Sequence, residues 1–206
     1  MSIGASGKAL FCDVGGVLIA DPWALTAKKL GKDYGLDSSK AYVRLVEYSK
    51  LLDLNRLTLF GLWRRFSGSS STEIPYAHFR RLFLGESLVK IPEVWDSVQW
   101  LRDSAGFSVY ALSNMCKTVW VSLQEKYAIR SLFDGETLSY ACGMMKPDSR
   151  IFRLALKRAR RSQAESTFLD DSEINVAAAL SVGLMAHKAS SPAATARFLR
   201  SLAGKA

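Results

Sequence analysis

Histidine is nearly missing from this chain: 206 residues hold only His78 and His187. Neither stands in a metal-ligand motif or beside a nucleophile, so a histidine-based metal centre or a Ser-His-Asp triad has little to draw on. Cysteine is sparse as well. Cys12, Cys116 and Cys142 are odd in number and widely spaced, with no Cys-x-x-Cys pair. That argues against a disulfide framework and a zinc site, and buried reduced thiols are expected. No apolar run reaches the roughly 18–20 residues that a membrane-spanning helix needs. Met1 to Lys8 lacks the basic start and apolar middle of a secretory signal. The expectation is a cytoplasmic protein without a membrane partner. Negative charge is also short, with 19 Asp and Glu against 28 Lys and Arg, a net charge of +9. The excess is spread along the chain. Its densest run, Lys157-Arg158-Ala159-Arg160-Arg161, falls at the end of a predicted helix, where cations favour the dipole. Nucleic acid is therefore not indicated, and a basic surface attracts phosphorylated small molecules equally well.

What is present is apolar residue in quantity, 49% of the chain, arranged in short runs that end in polar residues. Leu10-Phe11-Cys12 leads to Asp13, then Val14-Gly15-Gly16 and a second apolar piece. Such a run reads as a strand buried on both faces, and the glycines let the backbone turn sharply. From 21 to 90 the periodicity becomes helical. Tyr42, Leu45, Val46 and Leu52 suggest one helix, Leu59, Leu62, Trp63 and Phe66 another, and Tyr76, Phe79, Leu82 and Phe83 a third. Ser67 to Thr72 reads as a loop. Trp63 and Phe66 are taken as core of this helical region rather than a ligand box.

After Pro92 helices and strands alternate. A helix runs from Pro92 and is closed by Gly106, with Val94, Val98 and Leu101 inward. A strand from Phe107 to Leu112 ends at Ser113-Asn114. A helix spans Thr118 to Tyr127, a short strand lies within Phe133 to Ser139, and Lys146-Pro147 sits in a turn. Ser149 to Arg160 is helical. Ser166 to Leu169 is a strand that ends at Asp170-Asp171. Ser172 is expected to cap the next helix, with Ile174, Ala177, Ala178 and Ser181 inward and Gly183 at its end. Leu184 to Ala186 is a last strand and Pro192 to Leu202 a last helix. The alternation predicts an α/β fold with a doubly wound, Rossmann-like, mainly parallel sheet. The core domain would be 1–20 and 91–206, with 21–90 as an inserted helical cap.

In such a sheet the carboxyl ends of the strands share one edge. Asp13, Ser113-Asn114, Lys146 and Asp170-Asp171 are therefore expected to converge. Three carboxylates together repel unless a cation joins them, and Mg2+ suits a site of carboxylates plus substrate phosphate. Lys146 can neutralise a phosphoryl group, Ser113 can donate a hydrogen bond to it, and Asp13 can attack it to form an aspartyl-phosphate.

These residues resemble the haloacid dehalogenase-like hydrolase superfamily. Its first motif is matched by Asp13-Val14-Gly15-Gly16-Val17, an Asp-x-Gly-x-Val variant. Its second is matched by Leu112-Ser113-Asn114, its third by Lys146-Pro147, and its fourth by Asp170-Asp171-Ser172 with Asn175 after it. The four occur in order over about residues 8 to 188, and the insert matches the helical cap of type-one members. The resemblance implies Asp13 as nucleophile and metal ligand, with Lys146 as the second catalytic group. It implies the Gly15 carbonyl and Asp171 as further Mg2+ ligands, with Asp170 assisting directly or through water. Ser113, Asn114 and Lys146 would hold the phosphoryl group of a small phosphorylated substrate, in a monomer or homodimer. One departure stands out. Gly15 occupies the place where most phosphatases of this family carry a second Asp as proton donor, a role worth ~10²–10⁴-fold. Asp21 or a cap residue could supply the proton, or the leaving group could need little help. Otherwise the protein would bind phosphorylated ligands with little or no turnover. A metal-free dehalogenase, with Asp13 attacking carbon, is a further alternative that the acidic pair speaks against. The region 21–90 carries 12 Lys and Arg against 7 Asp and Glu, which suggests a substrate with further negative charge.

Overall fold

The computed structural model describes residues 7–68 and 72–204. Strand β1, Ala9–Cys12, is buried at all four positions. Five helical segments follow it: α1 Pro22–Tyr34, α2 Ser38–Glu47, α3 Ser49–Asp53, α4 Leu59–Ser67 and α5 Tyr76–Arg81, the last running on through a wider turn at Leu82–Glu86. Helix α6, Pro92–Asp103, then leads into β2, Ser108–Ser113. Next come α7, Lys117–Tyr127, and β3, Gly135–Leu138, with the short α8, Ser139–Cys142, directly after it. The chain closes with α9 Ser149–Ala159, β4 Ser166–Asp170, α10 Glu173–Ser181, β5 Met185–Lys188 and α11 Pro192–Ala203.

The five strands form one parallel sheet in the order β3-β2-β1-β4-β5. The first strand is thus the central one. Cys12 lies opposite Ala111 of β2 on one side and Leu169 of β4 on the other. The chain builds outward from β1 to β3, then crosses back to β4, so the strand order reverses beside β1. Crevices outside the carboxyl ends of strands at such a reversal are where doubly wound sheets bind ligands. The doubly wound α/β expectation is met, strand by strand.

Both faces of the sheet are covered. On one, Phe11 and Phe168 pack against Ile151 and Phe152 of the amphipathic helix α9. On the other, Leu10 and Val109 belong to a larger cluster that continues into Leu30, Leu62, Phe66 and Phe79 of the inserted helices. Phe66 is core, as its periodicity predicts, while Trp63 is half-buried and its indole N–H donates to the Ile74 carbonyl at 2.8 Å. The predicted loop 67–72 lies partly outside the described residues. The basic run after residue 156 ends α9 as expected, with Arg160 in the left-handed conformation (φ 53°).

Two local expectations are corrected. Ser172 holds the first position before α10, yet its hydroxyl makes no capping bond. The Asp170 carboxylate accepts the Ser172 N–H instead, at 2.8 Å. The inward face of α10 also differs. Ile174 is 69% exposed, Leu180 is 54% exposed, and Ala179 is the buried residue. Apolar residues occur on every side of this helix, so periodicity gives it no direction. Its rotation goes with Asn175, whose amide donates to both Asp170 oxygens at 3.1 and 3.2 Å.

Candidate active site

Asp13 follows the last residue of β1, and its own N–H donates to Leu169 O of β4 at 2.9 Å. This bond carries the sheet register one residue further and fixes where the carboxylate leaves the strand. One Asp13 oxygen takes the Val14 N–H at 2.8 Å. The same oxygen lies 2.9 Å from the Lys146 ammonium. The Ser113 hydroxyl, at the end of β2, donates to the Asn114 carbonyl at 3.5 Å and lies close enough to Asp13 to favour its charged form.

Lys146 is 2% exposed, which a lysine tolerates only when its charge and donors are matched. Its ammonium donates to Asp170 at 2.6 Å and to the Leu112 carbonyl at 2.9 Å, in addition to Asp13. Burial pulls its pKa down, but the carboxylates of Asp13 and then Asp170 outweigh that and hold it above the usual lysine value. The loop that carries Lys146 is clamped by Asn114. Lys146 N–H donates to Asn114 Oδ1 at 2.8 Å, and Asn114 Nδ2 donates to Lys146 O at 2.9 Å. The Asn114 side chain thus secures the lysine loop, with both amide ends engaged there.

Asp170 is fully buried, and its oxygens accept from Lys146, Ser172 N and Asn175. Asp171 opens to the cavity. Its partial burial, and then the charge of Asp170, push its carboxyl above the usual range. Asp171 also explains a glycine. Gly16 has φ +75°, and a Cβ there would stand 2.2 Å from Asp171 Oδ2. The turn after β1 therefore approaches the acidic pair as closely as only glycine allows. Burial is the main influence on Asp13, with Lys146 opposing and Asp170 adding to it, and the balance pushes its carboxyl up to about 7.

Asp13, Asp170 and Asp171 can each present an oxygen such that all lie within 4.8 Å of one another. The Gly15 carbonyl stands at the same turn and accepts no hydrogen bond among the described residues. The donor set is entirely hard oxygen, and three carboxylates face one ammonium. That chemistry fits a divalent cation of the Mg2+ type.

A cavity of about 220 Å³ opens over Asp13, Gly15, Gly16 and Asp171. Its far wall is largely apolar, with Trp23 and Phe83 in ring contact at 4.7 Å. Two further acids line it, Asp21 and Asp53. Asp53 had no motif to mark it. The available signal was a lone acid within Leu51-Leu52-Asp53-Leu54, in a stretch of helical period. It ends α3 and is 8% exposed. Burial, then the charge of Asp13, raises its pKa to about 7, against the pull of Lys146.

The fold and this strand-edge cluster define a doubly wound α/β protein with an acidic site at the carboxyl edge of its sheet. Residues 8–183 match the model of the haloacid dehalogenase-like hydrolases. The chain belongs to that family. It is 36% identical over 99 residues to the sesquiterpene phosphatase astK of Aspergillus oryzae, an alignment covering 48% of this chain and 50% of that protein. The chain thus spans about half the length of this curated relative. Among solved structures it is similar to a family enzyme of Bacteroides thetaiotaomicron at TM-score 0.71 and 22% identity, over 89% of this chain and 93% of that one. That enzyme has also been solved in complex with magnesium and inorganic phosphate. An L-2-haloacid dehalogenase of Xanthobacter autotrophicus, with chloropropionic acid covalently bound, gives TM-score 0.68 at 20% identity, over 94% of this chain and 82% of that one. At these identities the solved structures speak for the fold.

Proposed function

We propose that the protein is a Mg2+-dependent phosphatase that works through an aspartyl-phosphate on Asp13. The observation that carries this reading is the meeting of Asp13, Lys146 and the Asp170-Asp171 pair at one sheet edge, with the carboxylate oxygens within 4.8 Å of one another. Asp13, Asp171 and the Gly15 carbonyl would hold the metal, with Asp170 behind them, and the metal would offset phosphoryl charge. Asp13 Oδ attacks phosphorus and the bond to the leaving oxygen breaks. Lys146 orients Asp13 and keeps it from carrying uncompensated charge when buried. The Ser113 hydroxyl would donate to a phosphoryl oxygen. Residues 21–90 act as the cap over this site.

The cavity also speaks to the substrate. No lysine or arginine lines it among the described residues, whereas Ile19, Pro22, Trp23, Phe83, Met115 and Val119 do. The expectation of a substrate with further negative charge is therefore replaced: the cap cations lie elsewhere. A monophosphate of a small, mostly apolar alcohol fits this wall, and the name of the sesquiterpene phosphatase relative points in the same direction. A dehalogenase reading lacks support here, because carbon attack by Asp13 leaves the acidic pair without a balancing cation. The test is a panel of phosphate monoesters with and without Mg2+. Turnover that needs Mg2+, favours apolar alcohols and falls at least ~10³-fold in Asp13→Asn supports the reading. Equal rates for wild type and variant would refute it.

A further inference from the structure

We infer that Asp53 supplies the proton chemistry that Gly15 cannot, acting as general acid and then general base in the reaction proposed above. The reading starts from a gap. Gly15 offers no side chain, and a Cβ built there meets nothing within 4 Å. The position from which the family's second acid would act is open space on the cavity wall.

Besides Asp13 and Asp171, two carboxyls line the same cavity, Asp21 and Asp53, and their surroundings separate them. Asp21 is committed to structure. Its Oδ1 accepts the N–H groups of Trp23 at 2.8 Å and Ala24 at 3.3 Å, capping α1, and, after burial, its charge raises the pKa of Tyr42. These bonds hold the carboxylate at the N-terminus of α1. Asp53 is the reverse. Its side chain lines the cavity, is nearly buried, and makes no hydrogen bond among the described residues. The charged groups that act on it are Asp13 at the end of β1 and Lys146 before α9, and it in turn raises the pKa of Cys116 at the start of α7. A carboxyl without donors, beside another carboxylate, is favoured in its protonated form near neutral pH.

Its backbone is pinned for the task. The Ser139 hydroxyl donates to Asp53 O at 2.7 Å and accepts the Met115 N–H at 2.9 Å. The end of α3 is thereby tied to the loop that follows β2 and to α8. A side chain on a flexible cap would arrive at variable distances, whereas this one is held against the core that carries Asp13.

The steps balance. As the bond from phosphorus to the leaving oxygen breaks, Asp53 gives its proton to that oxygen, and the free alcohol forms with phosphate on Asp13. Asp53, now ionised, takes a proton from water whose oxygen attacks the phosphorus. The bond to Asp13 breaks, inorganic phosphate leaves, and Asp53 is protonated again.

A leaving-group comparison tests this. Wild type, Asp53→Asn and the double variant Asp53→Asn with Gly15→Asp are assayed with Mg2+ on p-nitrophenyl phosphate and on hexyl phosphate. The first leaving group departs without a proton and the second requires one. Asp53→Asn should lose ~10²–10⁴-fold on hexyl phosphate and less than ~10-fold on p-nitrophenyl phosphate, and Gly15→Asp should restore at least ~10-fold of the hexyl rate. A merely structural role would lower both esters alike. Equal losses, or no loss, overturn the role of Asp53 while leaving the phosphatase reading intact. A wild type inactive on every ester overturns both. Should Asp53→Asn show no cooperative melt, Asp53→Ser is read by the same ratio.

Discussion

At the scale of single residues, the centre of the molecule is a set of buried charges that do not balance by themselves. Lys146 answers Asp13 and Asp170 and donates its remaining proton to Leu112 O. Asp53 has no such answer. Its pKa is raised from the usual 3.8 to about 7, chiefly by burial. A raised carboxyl means that the folded state holds a proton the unfolded state has lost. The stability it lends is fully present below about pH 4 and is lost as pH rises through about 7. Asp13 acts in the same direction in the metal-free protein. The surface carboxylates held low, such as Asp148 and Glu173, change only at more acidic pH. The metal-free protein should therefore melt at a lower temperature at pH 8 than at pH 5. Asp53→Asn should shrink that drop by several °C, at ~2–4 °C per kcal/mol for a chain of this size. Thermal unfolding of both proteins at the two pH values checks it, and an unchanged drop would contradict the burial of an acid there.

At the scale of elements, the site is an assembly of strand ends and the loops that brace them. The four motifs were legible because each is local in sequence: three are short apolar runs ending in polar residues, and the third is a Lys-Pro pair in a turn. Two features were not. The rotation of α10 goes with the contact of Asn175 with Asp170, which no periodicity encodes in a helix apolar on all sides. The part played by Asn114 was also hidden, since its partner Lys146 lies 32 residues on. Asn114→Ala removes two hydrogen bonds and leaves Lys146 backbone groups without partners, a loss of about 1–3 kcal/mol. The melting temperature should fall by ~2–12 °C. Turnover should fall alike on hexyl and p-nitrophenyl phosphate, because the whole Lys146 loop shifts. Unchanged melting, or a loss confined to one ester, would show that the clamp does not hold the loop.

At the scale of the whole molecule, the parallel sheet with β1 at its centre explains why residues as distant as Asp13 and Asp171 share a cavity. This much follows from alternating strands and helices, since parallel crossovers leave little choice of where the strand ends meet. What the sequence could not show is how the inserted helices close on the sheet. Long-range packing brings Asp53 into the cavity and turns Trp23 and Phe83 toward it, while the basic residues of the insert stay off its wall. That packing is the basis for proposing an apolar monoester in place of the substrate with further negative charge that the composition of 21–90 suggested. No described helix is long and apolar enough to cross a membrane. The central claim is that Asp13 carries phosphate during turnover, and rapid-quench labelling tests it directly. Wild type mixed with Mg2+ and [32P]hexyl phosphate, then quenched in acid, should retain label that hydroxylamine releases, as an acyl phosphate does. Asp13→Asn should retain none and turn over little. Steady turnover of wild type without any trapped label, or label retained equally by Asp13→Asn, would contradict the account.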